Sequence, residues 1–254
     1  MKRWSLLENG VGAYAVGLGA YVLALIATAP ATLVDAGLRR ASDGRLRLAE
    51  AQGTLWSGTG QLEIRAAGGQ TGVARSLVWR VVPESLPRAQ LVYEVGLEQA
   101  TRHFPVTISF SRIELANADI GLPATVLSLG VPRLAPLGLT GDVLIHVSSL
   151  SIARAGMEGN ATLQWRAAGS ALSPVSPLGD YEVRLDGKGV TVHAFLRTIE
   201  GPLRLDGQGS WTHGERPAFL GMASVPPQHQ QQLSPLLRLI AVERGQGRFE
   251  LQLN

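Results

Sequence analysis

Hydrophobic and polar residues follow two different patterns along this chain. Between Gly10 and Ala29 the sequence reads GVGAYAVGLGAYVLALIATA, and no charged residue occurs between Glu8 and Asp35. Beyond that interval, short segments alternate between polar and apolar residues, as strands do when one face is buried and the other is solvated. The sequence therefore predicts one helix of membrane length followed by a domain that is mainly β.

The strand candidates share this alternation. They are Arg45–Leu48, Gln61–Arg65, Ser76–Val82, Gln90–Leu97, Val106–Leu115, Asp142–Val147, Ala161–Arg166, Tyr181–Leu185, Val190–Leu196, Pro202–Leu205 and Arg248–Leu253. The sequences that begin at Asp186-Gly187 and Asp206-Gly207 are typical of hairpin turns. Helical spacing predicts two short helices, at Ala124–Leu129 and Gln228–Ile240.

The uncharged segment has the length of a bilayer-spanning helix. Twenty residues at about 1.5 Å each cover roughly 30 Å of hydrocarbon. We therefore expect a short cytoplasmic tail at residues 1–9, a transmembrane helix at 10–30 and a linker at 31–44. A cleaved signal peptide is the alternative, because Ala27-Thr28-Ala29 resembles a cleavage site. We favour a retained anchor, since the apolar stretch is longer than a usual signal sequence and Pro30 would follow the cut.

One side of the predicted transmembrane helix carries only small residues. They recur at spacings of three and four positions and are Gly10, Ala13, Gly17, Ala20, Ala24 and Ala27. A seam of small residues lets a second helix approach closely. The seam predicts a helix–helix contact, either with a second copy of this chain or with another protein.

Charges near the helix leave its orientation open. Lys2 and Arg3 precede the helix, but four arginines follow it within residues 39–47. A count of positive residues therefore does not place the C-terminal domain outside the cytoplasm. The rule weakens when a large domain follows the helix, because such domains are translocated largely regardless of charge.

The chain contains an internal repeat. Leu77-Val78-Trp79-Arg80 matches Leu163-Gln164-Trp165-Arg166 at an offset of 86 residues, and Tyr93–Leu97 matches Tyr181–Leu185 at an offset of 88. We expect two similar repeats, at residues 45–137 and 138–254, which form either one continuous, strongly twisted antiparallel sheet or two pseudo-symmetric sheets. The equivalent core anchors would be Trp79, Trp165, Tyr93 and Tyr181.

Neither motifs nor composition indicate catalysis. The chain has no cysteine, which excludes a disulfide, a thiolate zinc site and a cysteine nucleophile. The nucleophile elbow, the phosphate-binding loop and the paired-histidine zinc motif do not occur, and the five histidines show no ligand spacing. We predict no enzyme, no catalytic or metal-binding residues and no cofactor. The net charge of +3 is not clustered, so no nucleic-acid partner is expected.

The segment with the sequence GTLWSG resembles the signature of the type II secretion system protein N family (general secretion pathway protein N). Its residues are Gly53, Thr54, Leu55, Trp56, Ser57 and Gly58. The rest of the chain is similar to that family in order, with Leu77-x-Trp79, Leu163-x-Trp165-Arg166, Leu178-Gly179-Asp180-Tyr181, Gly201–Gly207, Gly209-Ser210-Trp211 and Leu233-x-x-Leu236-Leu237. The glycines allow a tight turn around Trp56, which is a structural role.

The resemblance implies a bacterial inner-membrane protein with a single span and a periplasmic C-terminal domain. It also implies a scaffold or assembly factor in the apparatus that exports folded proteins across the outer membrane. The partners would be the outer-membrane secretin and the inner-membrane platform proteins. Two alternatives stay open: a membrane-tethered lipid-binding protein, because a twisted sheet can form an apolar trough, and a membrane-anchored envelope hydrolase.

Overall fold

A single long helix opens the described part of the chain. The structure is a computed structural model and describes residues 5–66, 71–88, 90–98, 102–153, 156–212, 215, 218–239, 241–245 and 247–253. Helix α1, Ser5–Ala27, has 23 residues. It begins inside the predicted tail, of which residues 1–4 lie outside the described residues. Leucine and glutamate at residues 6–8 are strong helix formers, so the helix extends before Gly10.

Helix α1 has few contacts with the rest of the chain. Tyr14 and every residue from Val16 to Thr28 are exposed, including four members of the small-residue seam, whereas the surroundings of Gly10 and Ala13 lie outside what the structure describes. A Cβ atom placed on Gly17 would meet no atom within 4 Å. Within the described residues, no helix combines the length and the hydropathy of a membrane span. The transmembrane prediction is therefore not confirmed.

The rest of the chain builds one antiparallel sheet of fourteen strands. The strands are β1 Leu46–Gly53, β2 Ser57–Arg65, β3 Thr71–Val81, β4 Leu91–Leu97, β5 Phe104–Ile108, β6 Arg112–Pro123, β7 Leu139–Ala153, β8 Gly156–Ser170, β9 Gly179–Gly189, β10 Thr191–Glu200, β11 Arg204–Thr212, β12 Ala218–Ser224, β13 Val242–Gly245 and β14 Arg248–Leu253. Strands β1 to β12 lie in chain order, and β14 then β13 complete the sheet. The predicted antiparallel, mainly β architecture is confirmed.

Strand register sorts the side chains into two faces. One row of directly paired residues crosses eight strands and contains only apolar residues and glycine: Ile120, Ile145, Leu163, Val183, Leu196, Gly207, Gly221 and Leu251. We call the face that carries this row the inner face. The neighbouring row on the opposite face includes Asp119, His146, Thr162 and Arg184. We call that the outer face. The alternation in the sequence thus corresponds to one apolar and one mainly polar surface.

Three α-helices cover the inner face. Helix α2, Thr32–Ala41, packs Val34 and Leu38 against the cluster around Leu48 and Trp79. Helix α3, Thr125–Gly130, continues into a 3₁₀ helix at Pro132–Leu137. Helix α4, Pro227–Leu237, buries three leucines in a cluster that includes Val143 and Phe249. A further 3₁₀ helix, Pro83–Arg88, joins β3 to β4.

The three α-helices begin with the same hydrogen bond. In each, an amide just before the helix donates to the carbonyl oxygen of a glycine with positive φ, which lies in or beside a strand that follows the helix. The bonds run from Ala31 to Gly53 (3.2 Å), from Ala124 to Gly141 (2.9 Å) and from Val225 to Gly247 (3.1 Å), and the glycine φ angles are 98°, 102° and 70°. Each bond satisfies an amide that no helical carbonyl can reach.

Several local predictions were wrong. The predicted strand Val106–Leu115 is interrupted at residues 109–111, where the amide of Ser109 bonds to the carbonyl of Arg112 and Phe110 is 97% exposed. The predicted turns at Asp186-Gly187 and Asp206-Gly207 lie within β9 and β11. Their glycines permit close packing instead of chain reversal: a Cβ on Gly207 would lie 2.6 Å from the ring of Phe219.

Other boundaries differ from the prediction. The segment 31–44, predicted as a linker, contains helix α2, because Val34 and Leu38 recur four residues apart and bury one side of it. The two predicted short helices are present but shifted, at Thr125–Gly130 and Pro227–Leu237, and Ile240 lies outside the described residues. Strands β12 and β13 were not predicted.

Both edges of the sheet are protected. At the β1 edge, the amide of Leu46 donates to Ser42 Oγ (2.9 Å) and that of Leu48 donates to Asp35 Oδ1 (2.8 Å). The opposite edge, β13, has only four residues, and its Glu243 and Arg244 form ion pairs. Occupied amides and a short charged strand both discourage pairing with another chain.

One carboxylate on the outer face is buried and paired with two arginines. Glu182 has 7% side-chain exposure, and its Oε1 lies 2.7 Å from Arg184 Nε and 2.8 Å from Arg197 Nη2. Burial alone would raise the pKa of Glu182, but the hydrogen bonds and charges of the two arginines outweigh burial and hold this pKa below its ordinary value. The ionised side chain of Glu182, in β9, is therefore linked to β10 through its ion pair with Arg197.

Replacing Glu182 should destabilise the sheet in a pH-dependent way. We expect Glu182→Gln to lower the free energy of unfolding by about 1–3 kcal/mol near neutral pH, because two charged hydrogen bonds are lost. A lowered folded-state pKa stabilises the protein above the unfolded-state pKa, and this stabilisation disappears as the pH falls through the folded-state value. The difference between the two proteins, measured by urea titration of tryptophan fluorescence, should therefore shrink in acid.

Asp186→Asn is the matched control on the same strand. Asp186 pairs with Lys188, and the side chains are 46% and 70% exposed, respectively. Exposed pairs contribute little, so we expect a change below about 0.5 kcal/mol. Equal effects of the two substitutions would contradict the role assigned to Glu182.

Candidate functional site

The GTLWSG segment lies where helix α1 meets the sheet. The amide of Leu55 donates to the carbonyl of Ala29 (2.7 Å), and Pro30 and Thr54 form an isolated antiparallel bridge. Together with the bond from Ala31 to Gly53, these contacts align the end of α1 with the β1–β2 connection. We call residues 26–31 and 53–58 the joint.

Trp56 connects the two sides of the joint. Its indole Nε1 donates to the carbonyl oxygen of Ile26 (2.8 Å), in the last turn of α1. The same carbonyl oxygen also accepts from the amide of Ala29 (3.2 Å), so the indole is its second donor and links the end of the helix to the β1–β2 connection. The carbonyl oxygen of Trp56 accepts from the amide of Val81 (2.6 Å), at the end of β3. One residue thus links helix α1 to a strand of the sheet.

Thr54 forms the turn that presents Trp56. Its Oγ1 accepts from the amides of Trp56 (3.2 Å) and Ser57 (3.3 Å), and its own amide donates to the carbonyl of Ser57 (2.8 Å). Its carbonyl oxygen accepts from the indole of Trp79 (3.2 Å). Threonine hydroxyls favour such local turns, and the bond from Trp79 fixes this turn on the core.

The two glycines of the segment are required by close contacts. Gly53 has a φ of 98°, and a Cβ atom there would lie 2.5 Å from the carbonyl oxygen of Ser57. A Cβ atom on Gly58 would lie 2.3 Å from the carbonyl oxygen of Gln52 and 2.5 Å from the ring of Trp79. Each glycine position therefore excludes every other residue unless the backbone moves.

A related contact recurs in the second half of the chain. The indole of Trp165 donates to the carbonyl of Thr140 (2.9 Å), and the sequence separation of 25 residues equals that between Trp79 and Thr54. Within the described residues, no indole joins the start of β7, where Thr140 lies, to a preceding long helix. The parallel supports the predicted duplication, which remains a prediction.

The four predicted core anchors lie on the inner face but in different surroundings. Trp79, Tyr93 and Tyr181 are buried, with 3%, 8% and 2% exposure, whereas Trp165 is half-buried. Trp165 and Tyr181 are cross-strand partners, and their ring centroids are 5.7 Å apart. Burial raises the pKa of Tyr93; burial and, second, the charge of Asp180 raise the pKa of Tyr181. Both phenols therefore stay neutral.

A second feature is an apolar cavity of about 670 Å³ over the C-terminal half of the inner face. Its floor is formed by strands β7 to β12 and β14, and its cover by α3, the 3₁₀ helix Pro132–Leu137 and the end of α4. Apart from Arg133 and Ser170, all its lining residues are hydrophobic or aromatic. Trp165 and Tyr181 contribute to its wall.

The outer face carries one close pair of a histidine and an aspartate. His146 Nδ1 lies 2.6 Å from Asp119 Oδ1, but the side chains are 54% and 56% exposed, which is typical of a surface ion pair. Asp180 Oδ1 accepts from the amide of Ala167 (2.8 Å), so Asp180, like Glu182, has a structural partner. In the described part of the chain, no group of three histidine, aspartate or glutamate side chains could hold a metal ion.

Sequence reasoning missed the partner of the GTLWSG segment and missed the cavity. One signal was available. Pro30-Ala31-Thr32 and Pro123-Ala124-Thr125 both precede a helix that covers the inner face, and this repeated tripeptide would have indicated helix α2. Nothing in the local sequence indicates that Trp56 bonds to Ile26, because that contact depends on the path of the chain between them.

Comparison with known proteins identifies the family. The family model described as type II secretion system (T2SS), protein N matches residues 44–252, which include β1 to β13 and all of β14 except Leu253, and exclude helices α1 and α2. No curated protein and no solved structure matches the chain. The family resemblance of the GTLWSG segment and the tryptophan motifs is thereby confirmed. Because the match covers well over half of its length, the chain belongs to the type II secretion system protein N family.

Proposed function

We propose that this protein is an inner-membrane-anchored, periplasmic component of the type II secretion apparatus and that it acts as a non-enzymatic scaffold or assembly factor for the export of folded proteins. The observation that carries the proposal is the family match over residues 44–252. The family assignment makes the chain a secretion component with an envelope location. The anchor, the periplasmic domain and the scaffold role are the finer parts of the proposal.

The proposed anchor is the segment 10–30, with residues 1–9 in the cytoplasm. Its support is the charge-free interval between Glu8 and Asp35, together with the exposed apolar side chains of Val16, Leu18 and Leu23. Exposed apolar side chains of this size need a nonpolar surrounding or a partner. The seam through Gly17, Ala20 and Ala24 would then contact a second copy or the helix of another subunit.

The joint gives the scaffold a fixed orientation. The indole bond at Ile26 and the backbone bonds at Ala29 and Ala31 act on three residues within a span of six at and just after the end of α1. A free linker at this position would let the sheet rotate relative to the helix. The joint instead holds the strands at a defined angle to α1, which is what a scaffold that presents one face to its partners requires.

The outer face of β10–β12 is the proposed partner surface. Strand edges are poor candidates, because α2 occupies the amides of Leu46 and Leu48 and β13 is short and charged. Phe195, Leu220 and Met222 are 49%, 59% and 43% exposed and line one shallow depression. Apolar groups rimmed by polar residues are typical of protein contacts. The partners would be the secretin or the inner-membrane platform proteins.

Loss of the protein should interrupt secretion at the outer membrane. We expect that deletion of its gene causes folded exoenzymes to accumulate in the periplasm, while transport across the inner membrane continues. Fractionation with activity assays of a secreted enzyme measures this, and expression of the wild-type chain is the control. Unchanged secretion in the deletion strain would refute the proposed role.

Trp56→Phe should loosen the joint and leave the rest of the sheet intact. Phenylalanine keeps the ring but cannot donate to Ile26, so we expect the amides of Ala31 and Leu55 to exchange with solvent about fivefold faster. Hydrogen exchange followed by mass spectrometry measures this. Trp211→Phe is the control, because Trp211 is 52% exposed and its indole has no hydrogen bond within the described residues. Faster exchange in both variants, or in neither, contradicts the role of Trp56.

Leu220→Cys tests both the location and the partner surface. The chain has no cysteine, so a single introduced thiol is the only one present. We expect a membrane-impermeant maleimide to label it in cells with a permeabilised outer membrane, and a thiol-linked photo-crosslinker at this position to capture the secretin or a platform subunit.

Val190→Cys is the control for this experiment. Val190 is 55% exposed in the turn between β9 and β10, outside the proposed partner surface. It should be labelled equally well but give no crosslink. Protection of both thiols would refute the periplasmic location, and equal crosslinking at both positions would refute the assigned surface.

A further inference from the structure

The apolar cavity has the size of a small-molecule site. Its volume of about 670 Å³ lies within the roughly 300–1,000 Å³ common for ligand pockets. Protein interiors are otherwise close-packed, and the walls of an empty space lose dispersion contacts. The cavity lies between the sheet and its covering helices, where the same leucines could have closed on one another.

The hydroxyl and indole groups of Ser170, Trp165 and Tyr181 in the cavity wall already have hydrogen-bond partners. Ser170 Oγ donates to the carbonyl of Leu137 (2.5 Å) and accepts from the amide of Leu172 (3.2 Å). The Trp165 indole bonds to Thr140, and the Tyr181 hydroxyl donates to the carbonyl of Leu203 (2.9 Å). The side-chain donors of these three residues are therefore already used within the protein.

This wall selects hydrocarbon and disfavours a peptide. Every peptide unit carries a donor and an acceptor, and burying them without partners costs several kcal/mol each, on the order of 2–7. An aliphatic chain has no such groups, so it can fill the cavity at no polar cost. Its burial removes the apolar surfaces of both the aliphatic chain and the cavity wall from water.

One cation stands at the mouth. Arg133, in the 3₁₀ helix Pro132–Leu137, lines the cavity and is exposed, as is Leu239. The guanidinium of Arg133 forms no hydrogen bond or ion pair within the described part of the chain. An unpaired guanidinium beside an apolar interior complements an amphiphile with an anionic head.

We propose that this cavity binds the aliphatic chain of an anionic lipid, with the acid group at Arg133. The proposal makes the lipid-binding alternative specific, because it places one aliphatic chain of the lipid in one cavity and its acid group at one arginine. It goes beyond the secretion role and does not depend on it. The lipid would be either a free fatty acid or an anionic phospholipid with one chain inserted.

Single cysteines in the full-length chain test the site. Val183→Cys places a thiol on the cavity wall, and Thr162→Cys places one on the outer face; both positions are half-buried. The chains are solubilised in a steroid-based detergent, which has no linear alkyl chain to compete. The rate of reaction with N-ethylmaleimide is measured with palmitate, phosphatidylglycerol, hexadecanol or an apolar peptide.

We expect palmitate or phosphatidylglycerol to slow labelling of Val183→Cys at least tenfold and to leave Thr162→Cys unchanged. The lipid that protects at the lower concentration identifies the source. In the Val183→Cys protein, the further substitution Arg133→Gln should raise the concentration of anionic lipid that halves the labelling rate about tenfold. It should leave the corresponding concentration of hexadecanol unchanged, because only the charged contact is lost. Equal protection of both thiols, no protection by any lipid, or protection by the peptide alone would overturn the proposal.

Discussion

A single antiparallel sheet has one apolar face, and that face must be covered. In the described part of this protein fourteen strands lie in one sheet, and no second sheet packs against the inner face. Three short helices cover it instead, and each begins with an amide bonded to a glycine carbonyl in the strands that follow. Burial of the inner face supplies the main stabilisation, and the glycine bonds determine where each helix lies. The cavity follows from the same arrangement, because short helices bridge a wide surface and leave space beneath them.

Hydrogen bonds in the joint also position a helix, but this helix, α1, is not one of the three that cover the sheet. Helix α1 extends away from the sheet and buries none of its described side chains, so packing cannot orient it. Hydrogen bonds do so instead: two from the backbone and one from the indole of Trp56. Four of the six residues of GTLWSG are thus explained: Gly53 and Gly58 by space, Thr54 by the turn and Trp56 by the helix end. In the first half of the sheet a tryptophan contact secures this joint, whereas the similar contact of Trp165 lies beside the cavity.

The sequence predicted the elements whose signal is local and failed where the signal depends on distant parts of the chain. Alternation predicted most strands, and with them one buried and one solvated face, because a period of two requires no knowledge of the partner strand. The Asp-Gly pairs misled, since a glycine that makes space for Phe219 looks the same in sequence as one that reverses the chain. Helix α2 was missed because its apolar side is only two residues wide. The contacts of Trp56, the ion pairs of Glu182 and the cavity all join segments that only the folded sheet brings together.

The order of the strands also has a consequence for how the molecule is made. Strands β1 to β11 pair only with strands that are adjacent in the chain, and the order departs from the sequence only where β12 pairs with β14 instead of β13. Contacts between adjacent segments form quickly, because little chain entropy is lost in closing each loop. The sheet can therefore grow by one strand at a time from its N-terminal edge while the rest of the polypeptide is still being synthesised or threaded through a pore. The bond from Val225 to Gly247, which lies just before α4 in the fold, forms only after the chain beyond β13 has been made.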